Sequence, residues 1–155
     1  MDETRFAERA QLLRKRLYRT AYLYMGGEAL AMDAVDEAVY KALLSCKRLR
    51  QEEFFDTWMT RILINCCKDM LKQQKRTIPL EELSEASVEQ YDSLPLKDAV
   101  SRLPKELREP LILRYFGGMT TAEAAETLKL PQGTAATRIR RALQLLRLEL
   151  VEEDT

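Results

Sequence analysis

The chain has 155 residues and carries 25 Lys/Arg against 25 Asp/Glu, with three cysteines and no histidine. Zero formal charge excludes a non-specific cationic coat for nucleic acid, so any DNA affinity has to come from local faces or from a partner. Without histidine there is no Cys/His zinc site and no Cys–His or Ser–His nucleophile. No Gly-rich phosphate loop is present either, so an enzyme is not expected, nor a cofactor, a metal or a small-molecule substrate.

The charge is unevenly spread. Residues 1–79 hold 15 Lys/Arg against 11 Asp/Glu, residues 80–99 one Lys against six acids, and residues 100–155 nine against eight. No stretch is long and apolar enough to span a membrane and no signal-peptide pattern opens the chain, which points to the cytoplasm. Cys46, Cys66 and Cys67 form no C-x-x-C, and adjacent cysteines rarely bond each other. Three reduced, partly buried thiols are the expectation.

Phe6, Ala10, Leu13, Leu17 and Ala21 recur at helical spacing, which predicts a first helix ended by Gly26-Gly27. A second helix is predicted from about Ala29 to Lys47, with Ala31, Val35, Val39, Ala42 and Cys46 toward the core. A third runs from about Phe54 to Gln74, with Phe55, Trp58, Ile62, Cys66 and Met70 on related faces. From Arg76 to Leu94 periodicity is lost and the composition turns acidic; Ile78-Pro79 and Leu94-Pro95 mark its two ends. Beyond it come a helix, a glycine break, a short capped helix, a three-residue turn and a basic helix, the layout of a helix-turn-helix DNA reader. There is no strand run and no internal repeat. The predicted fold is all-α: a three-helix-type bundle over 1–76, a flexible acidic linker over 77–95, and a helix-turn-helix domain over 96–155.

Within that last domain, Thr120-Thr121-Ala122-Glu123 reads as a capping box opening a helix over Thr121–Leu128. Lys129-Leu130-Pro131 is the turn, since Pro131 suits a helix entrance, where its missing N–H would have no partner. The second helix runs from near Gln132 to about Leu150. At about 100° per residue, Ala135, Ile139, Ala142, Leu146 and Leu150 form one apolar stripe. Thr137 points furthest from it, flanked by Arg140 and Arg141, with Thr134 and Arg138 on one edge and Ala136 on the other. Arginine forks onto guanine or phosphate, and threonine offers a hydroxyl and a methyl to base edges. A solvated face on a helical bundle is the plain alternative.

Two faces in the N-terminal half stand out. Asp33, Asp36, Glu37 and Tyr40 share one face of the second helix at i, i+3, i+4 and i+7. Bundle di-metal sites pair such acids with Glu-x-x-His, which this chain lacks; a protein-docking surface with an aromatic anchor and a plain solvated face remain. On the third helix, Trp58, Arg61, Asn65, Lys68 and Lys72 place an aromatic, an amide and cations along one side. Unstacked single strands are held this way, although a tryptophan in a helical domain is more often core.

In combination these pieces resemble a known family. Ala31-Met32-Asp33-Ala34-Val35-Asp36-Glu37-Ala38-Val39 is similar to the conserved-region-2 helix of sigma-70-type transcription initiation factors. Trp58 to Asn65, followed by Asp69-Met70-Leu71-Lys72, resembles their promoter-melting segment. Leu103-Pro104 through Arg108, Leu111 to Tyr115, Glu123-Ala124-Ala125, Gly133-Thr134-Ala135-Ala136-Thr137-Arg138 and Arg140-Arg141-Ala142 resemble region 4. With no helical domain between the two regions, the likeness is to the extracytoplasmic-function group.

The resemblance implies an all-α pair of domains that binds core RNA polymerase, at the β′ clamp helices and the β subunit, and directs initiation at promoter DNA. It implies polymerase docking through Asp33, Asp36, Glu37 and Tyr40. Capture of the −10 element as it melts falls to Lys47, Arg48, Arg50, Trp58, Arg61, Asn65 and Lys72, with a flipped base held in a loop pocket. Contact with the −35 element falls to Thr134, Thr137, Arg138, Arg140 and Arg141. It also implies an anti-sigma factor, often membrane-anchored, as inhibitor. The chain departs from the family pattern at Met32, where an acid is usual, at Asp36, where glutamine is usual, at Lys129 and Pro131 in the turn, and at Ala136, often basic. Two rivals remain: an autonomous helix-turn-helix regulator resembling only residues 103–150, and a sigma-like interaction protein that does not use DNA.

Overall fold

A computed structural model describes residues 1–77 and 94–153, with side-chain surroundings for 1–74 and 96–147. The chain divides into two compact units, Met1–Ser87 and Val88–Thr155. Most of the expected linker, residues 78–93, lies outside the described residues.

The first unit holds α1 (Glu3–Met25), α2 (Glu28–Ser45) and α3 (Phe55–Thr77), with 3-10 turns at Cys46–Arg48 and Glu52–Phe54 between the last two. Asp2 caps α1 by accepting the Arg5 N–H at 2.8 Å. Gly26 ends it at φ 79°, a left-handed conformation glycine adopts without Cβ strain, donating its N–H to the Tyr22 carbonyl. Phe6, Ala10, Leu13, Leu17 and Ala21 are all buried, as their spacing requires. On α2 the buried row is Ala31, Ala34, Val35, Ala38 and Ala42. Val39, expected in the core, is half-buried because it sits about 100° round the helix from Ala38 and reaches only the edge of the interface.

The core face of α3 also differs from expectation. Phe55, Met59, Leu63 and Cys67 form a fully buried i, i+4 row, with Ile64 and Cys66 beside it. Trp58, Ile62 and Met70, expected on that face, lie on the flanking rows and are half-buried. Phe55 meets the Phe6 ring edge-on at 5.8 Å, closing α1 onto α3. Among the described residues of this unit two threonines are buried, and each returns its hydroxyl to the carbonyl four residues back: Thr20 to Arg16 at 2.9 Å and Thr60 to Asp56 at 2.8 Å.

The second unit holds α4 (Leu94–Arg102), α5 (Lys105–Tyr115), α6 (Thr121–Leu128) and α7 (Gln132–Glu153), with α7 packed against the other three. No helix was expected over Leu94–Arg102. Its opening Leu94-Pro95 reads equally as a linker end, because proline suits a first helical turn as well as a loop. Ala99 and Val100 anchor α4 in the core with Leu103, Leu111, Ile112 and Leu113. Both halves of the expected capping box form: Glu123 N–H donates to Thr120 Oγ1 at 3.1 Å and Thr120 N–H to Glu123 Oε1 at 2.9 Å. Lys129 turns the chain at φ 58°, and Leu130 N–H reaches back to the Ala125 carbonyl at 2.8 Å.

Two substitutions test this turn chemistry with opposite signs. A Cβ on Gly117 would meet the Leu113 carbonyl oxygen at 2.8 Å and its Cα at 3.2 Å, both backbone. Gly117→Ala is therefore expected to destabilise the protein by about 1 kcal/mol or more. Lys129→Gly relieves left-handed strain and is expected to stabilise it by a few tenths to about 1 kcal/mol. Urea unfolding of both variants measures the two signs.

Candidate nucleic-acid and polymerase interfaces

The α7 helix is two-faced because its apolar residues recur every three or four positions. Ala135, Ile139, Ala142 and Leu146 are buried, and the side chain of Leu150 lies outside the described residues. The opposite face carries Thr137, Arg140 and Arg141 in full exposure, with Thr134 and Arg138 half-exposed at its edges. Thr137 donates its hydroxyl to the Gly133 carbonyl at 3.0 Å, which leaves its oxygen lone pairs and methyl pointing outward. Thr137, Arg140 and Arg141 thus share a surface that the core does not use, with Thr134 and Arg138 partly buried at its edges.

In the first unit the loop between α2 and α3 does what the sequence did not show. With the start of α3 it walls a cavity of about 640 Å³, lined by Ser45, Arg48, Leu49, Arg50, Gln51, Phe54 and Trp58. That size falls within the range of ligand clefts, about 300–1,000 Å³. Trp58 lies beside the buried Phe55, ring centroids 5.8 Å apart and planes tilted by 47°. Phe54 is half-exposed at the rim. The one legible signal for Phe54 is the Phe54-Phe55 pair, since neighbours on a helix cannot both face the core.

The structure therefore brings Arg48, Arg50 and Trp58 together. Lys47 is exposed on the same 3-10 turn but does not line the cavity, Arg61 is half-buried, and Asn65 is exposed one helical turn further on. Lys72 is elsewhere. It lies 14 residues beyond Trp58, about 21 Å along α3 at 1.5 Å per residue. There it borders a second cavity of about 570 Å³ with Asp33, Glu37, Lys41, Cys66, Asp69, Met70 and Gln73.

Asp33, Asp36, Glu37 and Tyr40 are all exposed on α2. Asp36 pairs with Arg14 at 3.5 Å and Glu37 with Lys41 at 3.7 Å; exposed pairs of this kind contribute little and are readily exchanged. The same helix exposes Met32, Leu43 and Leu44 beside Tyr40, the last two aliphatics missed from sequence. Met32, Asp36, Tyr40 and Leu44 form an i, i+4 ridge of apolar groups around one acid. An exposed ridge of that composition is the anatomy of a protein-docking surface.

The comparisons with known proteins match this layout. The family model for Sigma-70 region 2 matches residues 10–77, and that for Sigma-70 region 4 matches residues 93–146. The RNA polymerase sigma factor SigV of Bacillus subtilis is 32% identical, over 88% of this chain and 86% of its own. The chain belongs to the sigma-70 family, in its extracytoplasmic-function group. A second relative, the ECF RNA polymerase sigma-E factor of Haemophilus influenzae, is 31% identical over 74% of this chain and 71% of its own. In three dimensions the chain is similar to the Bartonella quintana sigma factor RpoE, solved in complex with the anti-sigma factor NepR. The TM-score is 0.78 at 25% identity, covering 94% of this chain and 96% of that one. This sigma factor is an initiation factor and not an enzyme. The region-2 match removes the autonomous regulator, which accounts for residues 103–150 alone.

The thiols are structural in character. Cys46, Cys66 and Cys67 are free and buried. Burial pushes the Cys67 thiol up from 9.0 to about 12, and burial also raises Cys66, against the lowering effect of nearby Lys41. The folded state therefore holds these protons more tightly than the unfolded chain. Their contribution to stability is complete below about pH 9 and is lost as pH rises toward 12. Stability is expected to fall there by up to about 1.4 kcal/mol per pH unit from Cys67 alone. Chemical denaturation of the wild type and of Cys67→Ala across pH 8–11 measures this, and the variant should show the shallower decline.

Proposed function

We propose that this sigma factor docks on the β′ clamp helices of core RNA polymerase through Asp33, Asp36, Glu37 and Tyr40. The exposed Met32, Leu43 and Leu44 extend that contact, and the β subunit supplies the second one. On the same reading, the Trp58 cavity with Lys47, Arg48, Arg50, Arg61 and Asn65 takes up an unstacked base and the adjoining phosphates of the −10 element. Unstacking costs a few kcal/mol, and stacking with phosphate neutralisation returns it. Lys72, remote from the cavity and beside Asp33 and Glu37, fits better at the edge of the polymerase contact or along more distant DNA. The −35 element is read in the major groove by Thr134, Thr137, Arg138, Arg140 and Arg141. Gly133 supports this placement: a Cβ there would meet nothing within 4 Å, so packing does not require glycine, and a bare backbone allows close approach of a phosphate.

One observation carries the reading. The two units present different cationic surfaces, a cavity lined in part by Trp58 and Phe54 on one and a convex threonine–arginine helix face on the other. These are the shapes that unstacked and duplex DNA respectively require. The division into residues 1–76, 77–95 and 96–155 is part of the same proposal.

We further propose that an anti-sigma factor, membrane-anchored at its own end, holds the protein inactive in the cytoplasm. The Bartonella quintana relative was solved in complex with an anti-sigma factor. Among the described residues of this chain no helix is long and apolar enough to cross a membrane.

Run-off transcription over a sheared genomic library with core polymerase should yield new transcripts that share −35 and −10 elements. Arg138→Ala with Arg141→Ala should abolish them, and Arg141→Ala alone should lower the salt slope of promoter binding by about 1. Tyr40→Ala should weaken core binding by roughly tenfold or more while duplex binding holds. Persistent transcripts after loss of both arginines would favour the interaction-protein reading.

A further inference from the structure

The wall of the Trp58 cavity is held from outside by residues along the first four turns of α1. Arg5 pairs with Glu52 at 2.7 Å, on the 3-10 turn that precedes Phe54. Arg9 and Arg16 bracket Asp56, in the first turn of α3, at 3.5 and 3.6 Å from its two carboxylate oxygens. The Arg9 guanidinium also lies 5.0 Å over the Phe55 ring, and Phe55 in turn supports Trp58. Three cations from one helix thus grip the two acids that flank Phe54-Phe55. None of the five charged groups lines the cavity itself.

We infer that Arg5, Arg9 and Arg16 are positioning residues for the cavity: they hold the Glu52–Asp56 segment at the separation from Trp58 that grips an unstacked base. This rests on the reading of the cavity as the −10 site. The pairs are partly exposed, so each is weak. The hydrophobic core keeps α1 and α3 together without them. What they decide is the placement of the Glu52–Phe54 turn, which leads into the buried Phe55 but has little packing of its own: Glu53 and Phe54 are exposed and Glu52 is half-exposed. Such a strap weakens with salt.

The test uses the full chain with core polymerase on a promoter obtained from the run-off experiment. Affinity for a fork-junction probe carrying the single-stranded −10 element is measured beside affinity for core polymerase and thermal stability. Arg5→Glu, Glu52→Arg, the Arg5→Glu/Glu52→Arg double variant, Asp56→Asn and Trp58→Ala are compared. Each single charge change should weaken fork binding by about threefold to tenfold and leave core affinity unchanged. The double swap, which restores the pair with reversed sign, should recover most of the loss. A swap that fails to recover would mean that Arg5 acts directly on DNA, and would overturn the inference. So would parallel loss of core affinity and melting temperature, which marks a purely structural role. Intact fork binding in Arg5→Glu, with Trp58→Ala impaired, would overturn the strap alone. Intact fork binding in Trp58→Ala would overturn the cavity reading and the strap together.

Discussion

Alanine sets the helix spacing in both units. Ala31, Ala34, Ala38 and Ala42 on α2 are wholly buried, and Ala124, Ala125, Ala135 and Ala142 play the same part in the second unit. A buried alanine gives up no side-chain entropy and lets two helix axes approach closely. Larger residues on the partner helices then fill the space: Phe6, Leu13 and Leu17 from α1, Phe55, Met59 and Leu63 from α3, and Leu111, Ile112 and Leu113 from α5. Units this small bury only a modest share of their surface, so tight packing over small residues matters more here than in a larger domain. It also fixes which faces stay free, because every position a helix does not spend on the core is offered to solvent or to a partner.

Those free faces differ in kind, and their differences suit different partners. The α2 ridge combines acids with Met32, Tyr40 and Leu44, which favours a protein surface over a polyanion. The α7 face combines arginines with threonines and no acid among its five residues, which favours DNA. With zero net charge over the whole chain, long-range attraction to DNA is weak, and the arginines act only at short range. On the proposed reading, a sigma factor balanced in this way depends on polymerase for promoter engagement, because docking would concentrate both proposed DNA faces at the template.

Charged residues also organise the surface of the first unit. Arg5, Arg9 and Arg16 from α1 meet Glu52 and Asp56 at the rim of the α1–α3 interface that Phe6 and Phe55 close. The thiols contribute in the opposite manner. Cys46, Cys66 and Cys67 are buried as small apolar fillers, and the same burial raises the Cys66 and Cys67 thiols.

Helices, caps and the two-faced α7 were legible from sequence because they rest on local chemistry. Spacing of apolar residues, a Thr-x-x-Glu box and a Gly-Gly break act within one or two turns, and the matching helices are where those signals put them, with the buried stripes of α1 and α7 as expected. The all-α class and the threonine–arginine face follow from the same local rules. Less could be read where several residues compete for one interface. Trp58, Ile62 and Met70 satisfy a helical period as well as Met59, Leu63 and Cys67 do, and only the position of α1 and α2 decides which row is buried. The α4 helix was hidden because a proline near its start serves a loop equally well. The Trp58 cavity, the remoteness of Lys72 from it and the clasp of α1 on the Glu52–Asp56 segment join residues far apart in the chain. No local pattern encodes them; packing of α1 and α2 against α3 brought them together.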